Sequence, residues 1–248
     1  MRHARAPSGN RLASTQKTIV NKILAGLSAS DFALLQAGLS AIDLPVRRQL
    51  EIRNRKIEHV YFLKSGLASV VVSAGAHQSI EVGIIGSEGM TGLALLLESD
   101  RAMHETFIQS AGHGWRITAD GLRLAMNKSM TLHRQLLRYA YTLFTQLEFT
   151  ALANGRYNTE ERLARWLLMA DDRADGGAIN LTHEFLGIML GARRPAVTNA
   201  LNEFQKRGVL KTQRGSISVQ DREALEASAN GSYGGAETEY RRLFGEAP

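Results

Sequence analysis

The chain is expected to fold as an α+β protein, with an antiparallel β-roll first, then one long helix, then a winged helix-turn-helix. Three observations predict this order. Across residues 44–120, short alternating runs are broken by frequent turns, the pattern of an antiparallel roll or barrel. From about Met130 to Ala153, apolar residues recur at spacings of three and four. From Ile179 to Arg214, two short amphipathic helices flank a glycine and lead into a basic segment with β character.

Bulk properties narrow the class. A length of 248 residues allows two ordinary domains or one large one. There is no cysteine, which excludes disulfides and cysteine-ligated zinc or iron–sulfur centres and fits a reducing cytoplasm. The strongest apolar run, Leu93–Leu97, is far too short to span a bilayer, and the basic N-terminus lacks the apolar stretch of a signal peptide. The net charge of +6 is unevenly placed. Residues 1–22 carry +5, residues 179–214 carry +4, residues 215–248 carry −3, and residues 23–178 sum to zero. A neutral body with a basic C-terminal module points to a polyanionic partner for that module.

Taken in order, residues 1–18 are polar and aperiodic and read as a disordered basic arm. Residues 19–39 hold short helical signals, with Ser30 and Asp31 as cap candidates. Strands follow at Ile57–Leu63 and Leu67–Val72, joined by Lys64-Ser65-Gly66 as a hairpin turn, then at Ser79–Ile85, Glu105–Gln109 and Trp115–Thr118. The roll is expected to occupy residues 19–125. The long helix, 126–154, places Leu132, Leu136, Tyr139, Leu143 and Leu147 in one seam suited to a second copy of the chain. Asn154-Gly155 ends it. Asn158 with Glu161 then reads as a capping box opening the next helix, and the winged helix-turn-helix is expected over 155–225. The Gly/Ser/Glu-rich residues 226–248 read as a flexible tail.

The C-terminal motif carries the functional reading. Thr182 suits the N-cap of its first helix, whose Leu186, Met189 and Leu190 share a face. Gly191 supplies the turn. The second helix, from about Arg194 to Arg207, sets Val197, Leu201 and Phe204 against a polar and basic face of Arg194, Thr198, Asn199 and Asn202. Strands at Val209–Thr212 and Ser216–Val219 pair as a wing around Arg214-Gly215. This is the pattern of a major-groove reader of double-stranded DNA.

The order of elements, with three stretches, resembles the Crp/Fnr superfamily of bacterial transcription regulators over about residues 25–225. Those stretches are His59–Leu67, Gly86-Ser87-Glu88-Gly89-Met90-Thr91-Gly92, and Leu181–Leu210. The resemblance implies a jelly roll like that of cyclic-nucleotide-binding domains, a homodimer joined by the long helix, an operator with two-fold symmetry, and RNA polymerase as a partner if the protein activates. It places the base-reading positions on Arg194, Pro195 and Asn199. An arginine can bond guanine O6 and N7, and Asn199 suits adenine. Pro195 stands where the family usually has an acid, which shifts the expected operator. Arg193, Thr198, Thr182 and Arg214 are phosphate candidates. The effector pocket implied by the family falls on Gly86, Glu88, Gly89, Met90, Thr91 and Gly92. The family's cyclic-phosphate grip is missing: Gly92-Leu93-Ala94-Leu95 lacks the glutamate, and Arg101-Ala102 lacks the hydroxyl neighbour. That argues against cyclic AMP, and no cofactor or metal is expected.

Two other readings stay open at this point. A cupin-like metal enzyme would need convergent His/Glu ligands on strands, and the histidines are scattered; His77, His104 and His113 are lone candidates for a haem, and a lone histidine is more often structural or solvated. His104-Glu105 and His183-Glu184 both lack the second histidine of HExxH, and neither GxSxG nor a Walker motif is present. A ligand-binding adaptor that has lost DNA binding conflicts with Arg194 and the +4 charge of residues 179–214.

Overall fold

The computed structural model describes residues 16, 19–75, 78–174, 177–181, 183–213, 215–245 and 248. The arm expected over 1–18 lies, apart from Gln16, outside them, as do Thr182, Arg214 and His77. Two short helices open the chain, α1 (Lys22–Ala25) and α2 (Ala29–Gln36). The roll comprises β1 (Ser40–Leu44), β2 (Gln49–Glu51), β3 (His59–Leu63), β4 (Leu67–Ser73), β5 (Ser79–Ile85), β6 (Glu105–Ser110) and β7 (Gly112–Thr118), with a one-turn helix, α3 (Leu93–Leu96), before β6. There follow α4 (Ala119–Lys128), α5 (Met130–Arg156), α6 (Thr159–Asp171), β8 (Ile179–Asn180), α7 (His183–Met189), α8 (Arg194–Lys206), β9 (Leu210–Gln213), β10 (Ser216–Val219), α9 (Arg222–Ser228) and α10 (Gly235–Phe244).

The roll is two antiparallel sheets, ordered β1-β7-β3 and β2-β6-β4-β5. β3 and β4 therefore lie in different sheets, which corrects the expected hairpin at Lys64-Ser65-Gly66. That turn carries the chain across the roll. The Lys64 and Ser65 amides both donate to the His113 carbonyl, at 2.8 and 3.2 Å. Gly66, at φ +85°, and Gly112 lie where the two crossings touch: a Cβ on either would strike the facing backbone. Turn residues specify a reversal but not the strand that pairs next.

Caps fix the helices at the roll's edge. Asn21 accepts from the Leu24 amide and donates to the carbonyls of Leu63 and Gly89, both at 2.8 Å, which pins α1 to the roll. α2 is capped by Ser28, accepting from the Asp31 amide, rather than by Ser30 or Asp31. Asp31 serves another purpose. The hydroxyl of Ser129, and then that of Thr131, holds its carboxyl below the usual range, tying α2 to the start of α5.

The long helix runs 27 residues to Arg156, so Asn154-Gly155 lies inside its last turn. Leu132, Leu136, Tyr139 and Leu143 are at most 5% exposed and pack into the chain's own core with Phe62, Met90, α1 and α4. Leu147 is half-buried and faces Gly83 of β5. The dimer seam expected on these five residues is therefore corrected: four have no free surface to offer, and the fifth is turned to the roll. A single roll sheet leaves one side of its hydrophobic layer open, and α5 closes it. The same helix carries further apolar residues outside the core, with Met130, Tyr141, Phe144 and Leu152 exposed and Leu137 half-buried, at spacings of seven, four, three and eight.

A second core joins α6, α7, α8 and the wing. The Asn158–Glu161 capping box opens α6, as its spacing predicts. Leu67 and Ile84 of the roll belong to this core, and Phe107 meets Phe185 edge-on at 6.1 Å. The helix-turn-helix is thus docked on the β2-β6-β4-β5 sheet.

The expected flexible tail is replaced in the described residues by α9 and α10. The latter packs along α5 with Gly235 against Phe149 and with Tyr240 buried, its hydroxyl donating to the Glu88 carbonyl at 3.1 Å. The anchors Ala236 and Tyr240 are one turn apart, too sparse to stand out in a Gly/Ser/Glu-rich stretch. No helix among the described residues is long and apolar enough to cross a membrane.

Candidate nucleic-acid interface

The site is built on the junction between α7 and α8. Leu186, Met189 and Leu190 bury one face of α7. Gly191 turns the chain at φ +54°, and the Ala192 amide returns to the Gly187 carbonyl at 2.9 Å. A side chain at Gly187 would press on the Ala192 carbonyl, so glycine permits the close turn. Sequence reasoning missed one support: Arg162 of α6 donates to the Leu190 carbonyl at the end of α7. Burial lowers the pKa of this half-buried guanidinium.

α8 begins after Arg193, which has extended backbone and makes no side-chain cap. Pro195 fits the first turn, where its missing N–H would have had no intrahelical partner. Val197, Ala200, Leu201 and Phe204 bury the inner face. Outward stand Arg194, Pro195, Asn199 and Asn202, with Thr198 half-buried beside them. Neither Arg193 nor Arg194 has a carboxylate partner among the described residues. Charges further along the helix are consumed. Lys206 pairs with Glu203 at 2.7 Å, and Arg207 pairs with Glu160 at 2.7 Å while stacking over Phe204 at 4.8 Å.

The structure thus brings Arg193, Arg194, Pro195, Thr198 and Asn199 onto one end and face of α8. Thr182 and Arg214 lie outside the described residues. The wing pairs β10 with both β9 and β8, and it exposes Lys211, a cation the motif reading passed over because it sits in a strand. Thr212 donates to Gln205 at 2.7 Å, fixing the wing against α8. A concavity of about 530 Å³ lies between Gly187, Ile188, Gly191–Arg194 and Ser79 of the roll.

The second candidate segment has the opposite character. Gly86, Glu88, Gly89, Met90, Thr91 and Gly92 lie together but are filled by neighbouring side chains. Glu88 is 3% exposed and accepts from Arg173 Nε at 2.8 Å. A Cβ at Gly86 would meet Glu88 and Arg173, and one at Gly89 would meet Tyr139. Met90 is fully buried. Thr91 exchanges two bonds with the Tyr61 backbone, and the Gly92 amide donates to Glu51 at 3.1 Å. What remains is a cavity of about 20 Å³, room for one water, beside Glu88, Tyr139, Gln146, Arg173, Glu237 and Tyr240.

Metal chemistry has little to build on. His104 is held by Glu51 at 3.2 Å and His113 by Asp43 at 3.0 Å, at separate places. Among the described residues no group of three His, Cys, Asp or Glu side chains could hold an ion.

Residues 161–228 match the Crp-like helix-turn-helix domain family. Over 211 residues the chain is 24% identical to the CRP-like cAMP-activated global transcriptional regulator of Mycobacterium tuberculosis, covering 82% of this chain and 94% of that protein. Its fold is similar to that of FixK2 from Bradyrhizobium japonicum, with a TM-score of 0.67 and 18% identity over 76% of this chain and 96% of the other. It is also similar to the c-di-GMP responsive global regulator CLP of Xanthomonas campestris, with a TM-score of 0.63 and 15% identity over 77% and 99%. A Crp-like helix-turn-helix over residues 161–228 is thus set on a roll and long helix of the same architecture, and the chain is similar in sequence and fold to transcription regulators of the Crp/Fnr type.

Proposed function

We propose that the chain is a DNA-binding transcription regulator of the Crp/Fnr type, which works as a homodimer in the cytoplasm and reads a two-fold-related operator through the first turns of α8. The observation that carries this reading is the unspent charge of Arg194. It stands exposed at the start of a helix whose opposite face is buried, with Asn199 on the same side. Arg194 is suited to guanine and Asn199 to adenine, while Arg193, Thr198, Thr182 and Arg214 serve the backbone. Pro195 removes the acid that would accept from a base amine, so the half-site differs from the family's common one. RNA polymerase is the further partner if the protein activates.

The roll, residues 19–125, is the sensor body, residues 126–154 join it to a second copy, and residues 155–225 bind DNA. The exposed stripe of α5 supports the dimer: Met130, Leu137 and Phe144 fall seven residues apart, Tyr141 stands between the last two, and Leu152 extends the apolar surface toward the helix end. Half-sites are then about one helical turn, roughly 34–36 Å, apart. The closed Gly86–Gly92 segment supports a regulator that does not take cyclic AMP there, because small-molecule sites need roughly 300 Å³ or more. Selection of bound duplexes from a random pool tests the reading, with a palindromic consensus expected. Light scattering of Tyr141→Glu/Phe144→Glu tests the seam. A monomer is expected, and a persistent dimer would contradict it.

A further inference from the structure

The roll carries a concentration of positive charge that the helix-turn-helix does not use. Residues 45–57 hold five cations, Arg47, Arg48, Arg53, Arg55 and Lys56, against one acid, Glu51. That acid points inward. Glu51 is 5% exposed and accepts from Thr106, from the Gly92 amide and from His104. Arg53, Arg55 and Lys56 are exposed and have no carboxylate partner among the described residues. Arg101 joins them from the facing strand segment. It bridges to Lys56 through the backbone and donates to the Asn54 carbonyl at 3.0 Å, with Asp100 as an acidic neighbour at 3.6 Å. The body of the chain sums to zero charge, so this is a local excess that other parts of the roll offset.

Its position gives the patch a partner. Arg53 donates to the carbonyl of Ser73 at the end of β4, and Ser73 and Ser79 share a hydroxyl bond at 2.7 Å across the β4–β5 ladder. Ser79 in turn borders the concavity that Arg193 and Arg194 line. A chain of neighbouring residues therefore runs from the patch to the first turn of α8. At both ends of it stand guanidinium groups that are open to solvent and, among the described residues, have no carboxylate partner.

We infer that Arg53, Arg55, Lys56 and Arg101 form a second phosphate-binding surface, which takes the duplex backbone where it leaves the operator. The inference rests on the proposed reading of DNA by α8 and extends its footprint onto the roll. Guanidinium and ammonium groups without interleaved aromatic rings suit a regular phosphodiester ladder better than stacked single-stranded bases. Such groups position the duplex and carry no sequence information, so the selected consensus should not lengthen.

The experiment compares two duplexes bearing the same selected operator: one ending at the half-sites, the other longer by about one helical turn, roughly 10 bp, on each side. Affinity is measured against salt for the parent protein, for Arg53→Gln/Arg55→Gln/Lys56→Gln, and for Arg55→Gln/Lys56→Gln, which spares the Arg53 bond to β4. The parent should bind the longer duplex more tightly and with a steeper salt dependence. Each variant should flatten the salt slope on the longer duplex by about 0.9 for every phosphate it no longer neutralises, and leave the short duplex unchanged. Equal parent affinity for the two lengths would overturn the inference, and so would an equal weakening on both duplexes in the double variant. Failure of the parent to bind any duplex would instead overturn the reading of α8, and with it this extension.

Discussion

The stretch from Gly191 into the first turn of α8 and the segment Gly86–Gly92 both combine glycine with charge, and they have met opposite fates. Arg194 is exposed and has no carboxylate partner among the described residues, while the side chain of Arg173, which serves the other segment, is only 3% exposed and paired with Glu88. On the DNA side the fold leaves charge unspent and sets the helix on an apolar base. On the sensor side the Glu88–Arg173 charges are consumed within the chain, and α10 closes over the pair with Tyr240. The difference fits the proposed reading, in which α8 meets a polyanion. The Gly86–Gly92 segment, by contrast, is already filled by the chain's own side chains.

Removing a charge from each region should break this comparison in different ways. Arg173→Met leaves Glu88 buried without its cation and should cost about 3–5 kcal/mol of stability. Calorimetry should then show a melting point lower by at least roughly 6 °C. Adding Glu88→Gln to it should recover part of that stability, because the stranded charge is gone.

A smaller effect is expected at Glu81, buried where the roll meets α6. Burial pushes its carboxyl up to about 7, against the pull of the Ser69 and Trp166 hydrogen bonds and of Arg165 and Arg173. The folded state therefore keeps a proton that the unfolded chain releases near its ordinary value of 4.5. Stability should fall as pH rises between those two values and then level off. Melting curves of Glu81→Gln should lack that fall, and a parallel pH profile in both proteins would count against the assignment. Smaller again is Tyr240→Phe, which removes one bond from α10 to the Glu88 carbonyl and should cost about 0.5–1.5 kcal/mol by denaturant titration.

Much of this is legible in the sequence where a local rule fixes a local structure. The Asn158–Glu161 box, the Gly191 turn and the inner face of α8 follow from spacing and residue type. Three features do not yield to such rules. Periodicity marks a stripe on α5 but cannot say whether it meets the chain's own roll or a second copy; Leu132 and Tyr139 turn inward, and Tyr141 and Phe144 outward. Lys64-Ser65-Gly66 encodes a turn, while strand pairing is decided by residues far along the chain. Glu88 and Arg173 are 85 positions apart and find each other only in the fold.

The central claim is that Arg194 reads DNA and does little else. Binding of the selected operator to Arg194→Ala, measured beside its melting point, tests this most directly. The account predicts a weakening of about 1–3 kcal/mol per half-site with relaxed preference at one base pair, and stability unchanged to within about 0.5 kcal/mol. Unchanged affinity and preference, or a melting point that falls as far as that of Arg173→Met, would contradict it.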